Sequence, residues 1–155
     1  MKVLSVSRVA GAIALAGAMG VAALAFADDT DVIKGRRALM KANGEGAKLI
    51  GAMLKGESPF DAAAAGAALK NMVAAGHGFG ADFSMHFTDG SKSGDTKASP
   101  DIWANADDFT KKAKTYEADA SAALAAVATG GDAFNAAAGK MFGNCKGCHE
   151  KYKLQ

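Results

Sequence analysis

Two cysteines and a histidine near the C-terminal end constrain this chain more than any other feature. Cys145 and Cys148 are the only cysteines among 155 residues, and His149 follows directly, in NCKGCHEKYKLQ. On a helix, positions i, i+3 and i+4 share one side. Both thiols and the imidazole therefore face the same way, toward the interior of whatever the helix packs into, and Gly147 keeps bulk low there.

C-x-x-C-H is the attachment sequence of c-type haem. The thiols form thioethers with the haem vinyl groups, and the imidazole takes one axial position on the iron. Other uses of the pair fit less well. A thioredoxin-like C-x-x-C opens a helix after a strand, whereas this one lies at the end of a chain without clear strands. Structural zinc needs four ligands, and only His77 and His86 remain to supplement the motif. A disulfide between cysteines so close in sequence would add little.

Residues 1–27 read as a secretory signal peptide. Lys2 and Arg8 precede an apolar run over Val9 to Leu24, and Ala25-Phe26-Ala27 gives an A-x-A cleavage pattern before Asp28-Asp29. The run is short and rich in Gly and Ala for a membrane anchor. Export fits covalent haem attachment, which takes place outside the cytoplasm, and implies a periplasmic protein with no membrane attachment after cleavage. Residues 28–155 then form one domain, of a size that buries a core without staples. Of the chain's 18 basic residues two leave with the signal, and none of its 16 acidic ones does, so the domain is neutral. A nucleic-acid binder would show a dominant basic face.

The domain is rich in Ala and reads as helical. Breakers mark four helices and there is no internal repeat. The first runs from about Asp31 to Leu54 and ends at Lys55-Gly56. The second starts at SPFD, with Ser58 as N-cap and Pro59 in the first helical position, and runs to about Gly76 or Phe83. FTDGSKSGDTKAS is a loop. The third helix starts at SPDIW, with Ser99 as cap, and runs from Pro100 to about Ala128; the fourth, capped by Asp132, runs from Ala133 to about Tyr152. This pattern predicts an all-α, antiparallel four-helix bundle with covalently attached haem. Large apolar residues are few, so the bundle either packs tightly on alanine or surrounds something bulky.

A single CxxCH on the last of four helices resembles the class II c-type cytochromes, the cytochrome c′ family. KGESPFDAAAAGAAL is similar to the family's second-helix start, PDIWANADDFTKKAK to its third helix and CKGCHEKY to its haem site. The family divides on the sixth iron position, which is open in high-spin cytochromes c′ and filled by methionine in the low-spin cytochromes c-556. RRALMKANG puts Met40 at that position and resembles the low-spin version. The resemblance also implies that Arg36 lies near the haem propionates, while Arg37 has no clear counterpart in charge. Both arginines precede Met40 by one helical turn and share its side.

The resemblance thus implies a periplasmic mono-haem electron carrier, not an enzyme. Its iron would be held by His149 and Met40, with haem c bound through Cys145 and Cys148, and it would serve redox partner proteins. The alternative is a five-coordinate high-spin cytochrome c′ that binds NO or CO. A peroxidase would need a distal His or Arg above an open iron, and the first helix carries no histidine there. On the residues alone, other methionines, His77 and His86 compete for the sixth position. Trp103 reads as a core anchor. Lys140, Lys146, Lys151 and Lys153 gather at the haem end, where they could steer an acidic partner. An Ala/Gly-rich face permits a homodimer.

Overall fold

The computed structural model describes residues 28–155. The expected signal segment, 1–27, lies outside the described residues. Helix α1 spans Asp29–Leu54. The Asp28 carboxylate accepts from the Thr30 N–H at 3.2 Å, and Asp29 and Asp31 complement the positive end of the helix. The helix stops where expected, at Gly56, which takes a φ of +73° and so suits a left-handed terminator.

Helix α2 spans Ala62–Gly80 and begins later than the sequence suggested. Asp61, not Ser58, caps it, by accepting from the Ala64 N–H at 3.0 Å. Phe60 is drawn instead onto the ring of Phe134, 5.0 Å away, so Ser58 and Pro59 remain in the approach to the helix. The glycine-rich end of α2 is helical through Gly80 because it packs closely. A Cβ on Gly76 would meet Glu117 Cβ at 2.8 Å, and one on Gly80 would meet Lys114 Cγ at 2.9 Å.

The short helix α3, Phe83–His86, leads into the expected loop. That loop holds a 3-10 turn at Gly90–Lys92 and a single bridge from Ala98 to Lys153. The Ser99 N–H donates to the Tyr152 carbonyl at 3.0 Å, and the Leu154 N–H to that of Lys97 at 2.9 Å. The loop is thereby tied to the end of the chain. The expected third helix is broken into α4, Asp101–Ala104, and α5, Ala106–Ala126. Asn105 leaves helical geometry at the joint, and its side-chain amide donates to the Asp101 carbonyl at 3.2 Å. Helix α6, Gly131–Tyr152, starts at the second of two glycines with positive φ, Gly130 and Gly131. Asp132 therefore lies in its first turn and not at its cap.

The four long helices, α1, α2, α5 and α6, form the bundle. α2 packs along α5, α5 along α6 and α1 along α2, while α1 and α6 meet only sparsely. One core cluster gathers Ile50, Leu69, Met72, Phe134 and Met141 around buried alanines. The other is aromatic and joins Phe79, Phe87, Phe109 and Tyr152 to Ile102. The weak seam between α1 and α6 is where the small residues leave room.

Candidate haem site

The seam opens into a cleft of about 650 Å³, within the range of cofactor pockets, roughly 300–1,000 Å³. Helix α1 lines it with Arg36, Arg37, Met40, Asn43, Gly44 and Ala47, a stripe at helical spacing. Helix α6 lines it with Cys145, Cys148, His149 and Tyr152. Met72, Phe79, Phe109, Ala113 and Tyr116 supply apolar surface from α2 and α5, and Lys97, Lys112 and Lys153 add cations. The sequence-predicted residues are thus brought together on two helices that flank one cleft.

The chemistry of the donor set follows from the surroundings. Both thiols are free, and burial pushes each above its ordinary value. That is the reverse of a thioredoxin-type cysteine, whose thiol is acidified, and the pair sits late in its helix. Burial, helped by Lys153, pulls His149 down, which leaves the imidazole neutral with a lone pair for a metal. Among the described residues no three His, Cys, Asp or Glu side chains come together to hold a metal ion, so the zinc reading finds no support. Two thiols and an imidazole on one wall, apolar surface for a flat macrocycle and cations for its carboxylates together fit haem c.

His77 and His86 do not line the cleft. His77 meets Glu117 Oε1 through Nδ1 at 3.0 Å, on the exposed side of α2, and the His86 ring packs edge-on to Phe79. Of the methionines, Met40 and Met72 line it. Met72 is fully buried in the first core cluster, with its methyl group against Gly46. Met40 belongs to neither core cluster and is 39% exposed.

The two arginines differ. Arg37 reaches outward to the carboxylate of Asp95, which is itself well exposed. Arg36 is buried, and its Nη1 donates to the His86 carbonyl at 2.8 Å and to Ser91 Oγ at 2.6 Å. Its Nη2 donates to the Ser91 carbonyl at 2.9 Å and to Thr96 Oγ1 at 3.2 Å. Trp103 is a core anchor as expected, with its Nε1–H donating to the Phe87 carbonyl at 2.9 Å.

The lysine cluster at the haem end is mostly paired. Lys140 meets Asp119 at 2.8 Å, Lys146 meets Glu150 at 3.6 Å and Lys151 meets Asp108 at 3.0 Å. Sequence reading passed over Tyr116, whose hydroxyl donates to Asn43 Oδ1 at 3.1 Å, and over Asn144, whose amide donates to Asp119 Oδ2 at 2.9 Å. Both line the cleft or brace its wall. Only the spacing of Tyr116 in α5, three residues after Ala113, hinted at an inward position.

Comparison with known proteins agrees with this geometry. The family model described as Cytochrome C' matches residues 31–153. The chain is 36% identical to a cytochrome c′ from Rhodopseudomonas palustris, over 98% of this chain and 97% of that protein. It is 33% identical to a cytochrome c-556 from Agrobacterium tumefaciens, over 77% of this chain and 92% of that one. The solved cytochrome c prime from Shewanella frigidimarina superposes with a TM-score of 0.71 at 31% identity, covering 84% of this chain and 99% of that one. A bundle with its C-x-x-C-H turned into a cleft between the first and last helices, and relatives matched over nearly their whole length, make this chain a member of the cytochrome c′ family, the non-enzymatic class II c-type cytochromes that carry covalent haem c.

Proposed function

We propose that the protein is a periplasmic electron carrier whose haem iron would be held by His149 and Met40. The observation that carries this is the position of Met40. It lines the cleft from α1, across from the helix that bears His149, and neither core cluster absorbs its side chain. Haem c supplies a one-electron iron couple when bound.

The chain's own residues prepare the site for that couple. Cys145 and Cys148 would hold the macrocycle through thioethers, and neutral His149 would present a nitrogen to the iron. A Met40 thioether ligand would favour the reduced iron and raise the potential. Phe79, Phe109 and Tyr152, which line the cleft, would keep water from the macrocycle. Arg36 and Arg37 both line the cleft and would meet the haem carboxylates there, Arg37 from a position where it also pairs with Asp95. The family is periplasmic, and the signal pattern of residues 1–27 would bring this chain there. No helix among the described residues is long and apolar enough to cross a membrane. Cytochromes c′ are often dimeric, and one solved relative is described by its ligand-controlled dimer dissociation. A homodimer of this chain belongs to the same proposal.

A second reading has the iron five-coordinate and open to NO or CO. It is supported by the match to a solved nitric oxide complex of a variant cytochrome c prime from Alcaligenes xylosoxidans, at 27% identity. Carbon monoxide separates the two. Added to the reduced protein, it should leave the visible spectrum unchanged if Met40 fills the sixth position. Rapid formation of a carbonyl spectrum at low concentration would favour the open iron.

A further inference from the structure

Asn43 on α1 and Tyr116 on α5 both line the cleft, and both are half-buried. The Tyr116 ring packs against the first core cluster, and its hydroxyl donates to Asn43 Oδ1 at 3.1 Å. This is the one hydrogen bond between α1 and α5 among the described residues. Burial raises the Tyr116 phenol, so the hydroxyl keeps a proton to donate. Asn43 thus spends its oxygen on Tyr116, while its two amide N–H donors meet no acceptor among the described residues. The cleft's other side-chain amide is fully engaged: Asn144 donates to Asp119 Oδ2 and to the carbonyls of Lys140 and Met141. A donor left over in a mostly apolar cleft is costly once a ligand shuts out water.

We propose that Asn43 is a positioning residue of the haem site, whose amide donates to the Met40 sulfur when that sulfur binds iron, and that Tyr116 holds the amide in place for it. The inference rests on the proposed ligation by Met40. Asn43 follows Met40 by three residues, so the two are neighbours on one helix face. Helical side chains lean toward the N-terminus of their helix, which brings the Asn43 amide over the turn that carries Met40. A thioether sulfur is a weak acceptor, and a hydrogen bond to it draws electron density away from the iron. The oxidised iron loses more by this than the reduced iron, so the bond would favour reduction. Hydrogen bonding around the axial ligands is one of the ways in which a protein sets a haem potential.

Two substitutions in the haem-loaded protein test the pair. Asn43→Leu removes the donor, Tyr116→Phe removes its anchor, and each nearly keeps the side-chain volume. The visible spectrum and the midpoint potential are measured for both beside the wild type. All three proteins should be low-spin. Asn43→Leu should lower the reduced-to-oxidised ratio at a fixed applied potential about threefold, about 28 mV for a one-electron couple, and Tyr116→Phe should lower it by less. The direction is diagnostic. Leucine also makes the cleft less polar, and that alone disfavours the more highly charged oxidised haem and would raise the ratio. A rise or no change in low-spin Asn43→Leu would overturn the inference and leave ligation by Met40 standing. High-spin iron in Asn43→Leu alone would overturn it too, because a bond that weakens the sulfur as a donor is not needed to keep it on the iron. High-spin iron in the wild type would overturn ligation by Met40 and this inference with it. Should Asn43→Leu fail to accumulate, Tyr116→Phe decides, and an unchanged potential there overturns the proposal.

Discussion

Tyr116 on α5 donates its hydroxyl hydrogen bond to Asn43 on α1 at 3.1 Å, linking two walls of the cleft three residues beyond Met40. Burial raises the Tyr116 phenol well above its ordinary value, so the hydroxyl keeps its proton throughout the working pH range. Tyr116→Phe removes the bond and little volume. A loss of about 1 kcal/mol is expected, measured by denaturant unfolding. A cycle with Asn43→Ala should return a coupling of similar size. Additive losses would mean that the bond contributes nothing of its own.

Gly76 and Gly66 lie on the same helix but should respond oppositely to alanine. At Gly76 the new Cβ would fall 2.8 Å from Glu117 Cβ and 2.9 Å from its Cα. α2 and α5 must then move apart, at a cost of about 1–3 kcal/mol. At Gly66 nothing lies within 4 Å, and alanine should gain up to about 1 kcal/mol from helix propensity. Thermal melts of the two variants, both with haem attached, test the pair.

The carboxylate of Asp119 is only 8% exposed and accepts from Lys140 and Asn144 on α6. Lys140, then Asn144, hold it below the ordinary carboxylate value. A depressed value means that the contribution is fully present above the unfolded value, about pH 4, and is lost as pH falls through the lower native value. The stability difference between wild type and Asp119→Asn should therefore be constant near neutrality and shrink in acid. A difference that grows toward low pH would contradict this account of the α5–α6 tie.

With three of the four lysines at the haem end paired to carboxylates, the lysines lining the cleft without a carboxylate side-chain partner among the described residues are Lys97, which donates to the Gln155 carbonyl at 2.6 Å, Lys112 and Lys153. Oxidation by a small anionic oxidant should slow as ionic strength rises. Lys112→Glu with Lys153→Glu should flatten that dependence, whereas Lys146→Ala should leave it nearly intact. Equal effects of both changes would point to net charge rather than to the cleft rim.

Sequence revealed the site more fully than it revealed the structure around it. Cys145, Cys148 and His149 are legible because one helical turn fixes their relation, and Gly56 marks a helix end through local backbone geometry. The start of α2 was misplaced because Phe60 packs on Phe134, which lies 74 positions away in the numbering. The break at Asn105 was missed because no Pro or Gly announces it. The engagement of Arg36 was hidden for the same reason as the α2 start: its acceptors lie 50 to 60 residues further on, in a segment that reads only as polar loop. Pairing at such distances depends on the assembled bundle, and no local pattern encodes it.

The spin state of the iron in wild type and in Met40→Leu tests the central claim most directly. Leucine keeps the volume and apolarity of methionine, so the bundle should survive at a cost below about 1.5 kcal/mol, but it removes the sulfur. Arg36, Arg37 and Asn43, which share the wall with Met40, offer no comparable ligand. The visible spectrum should show low-spin iron in the wild type and high-spin iron in Met40→Leu, with carbon monoxide binding gained only by the variant. High-spin iron in the wild type, or the same spectrum from both proteins, would contradict ligation by Met40.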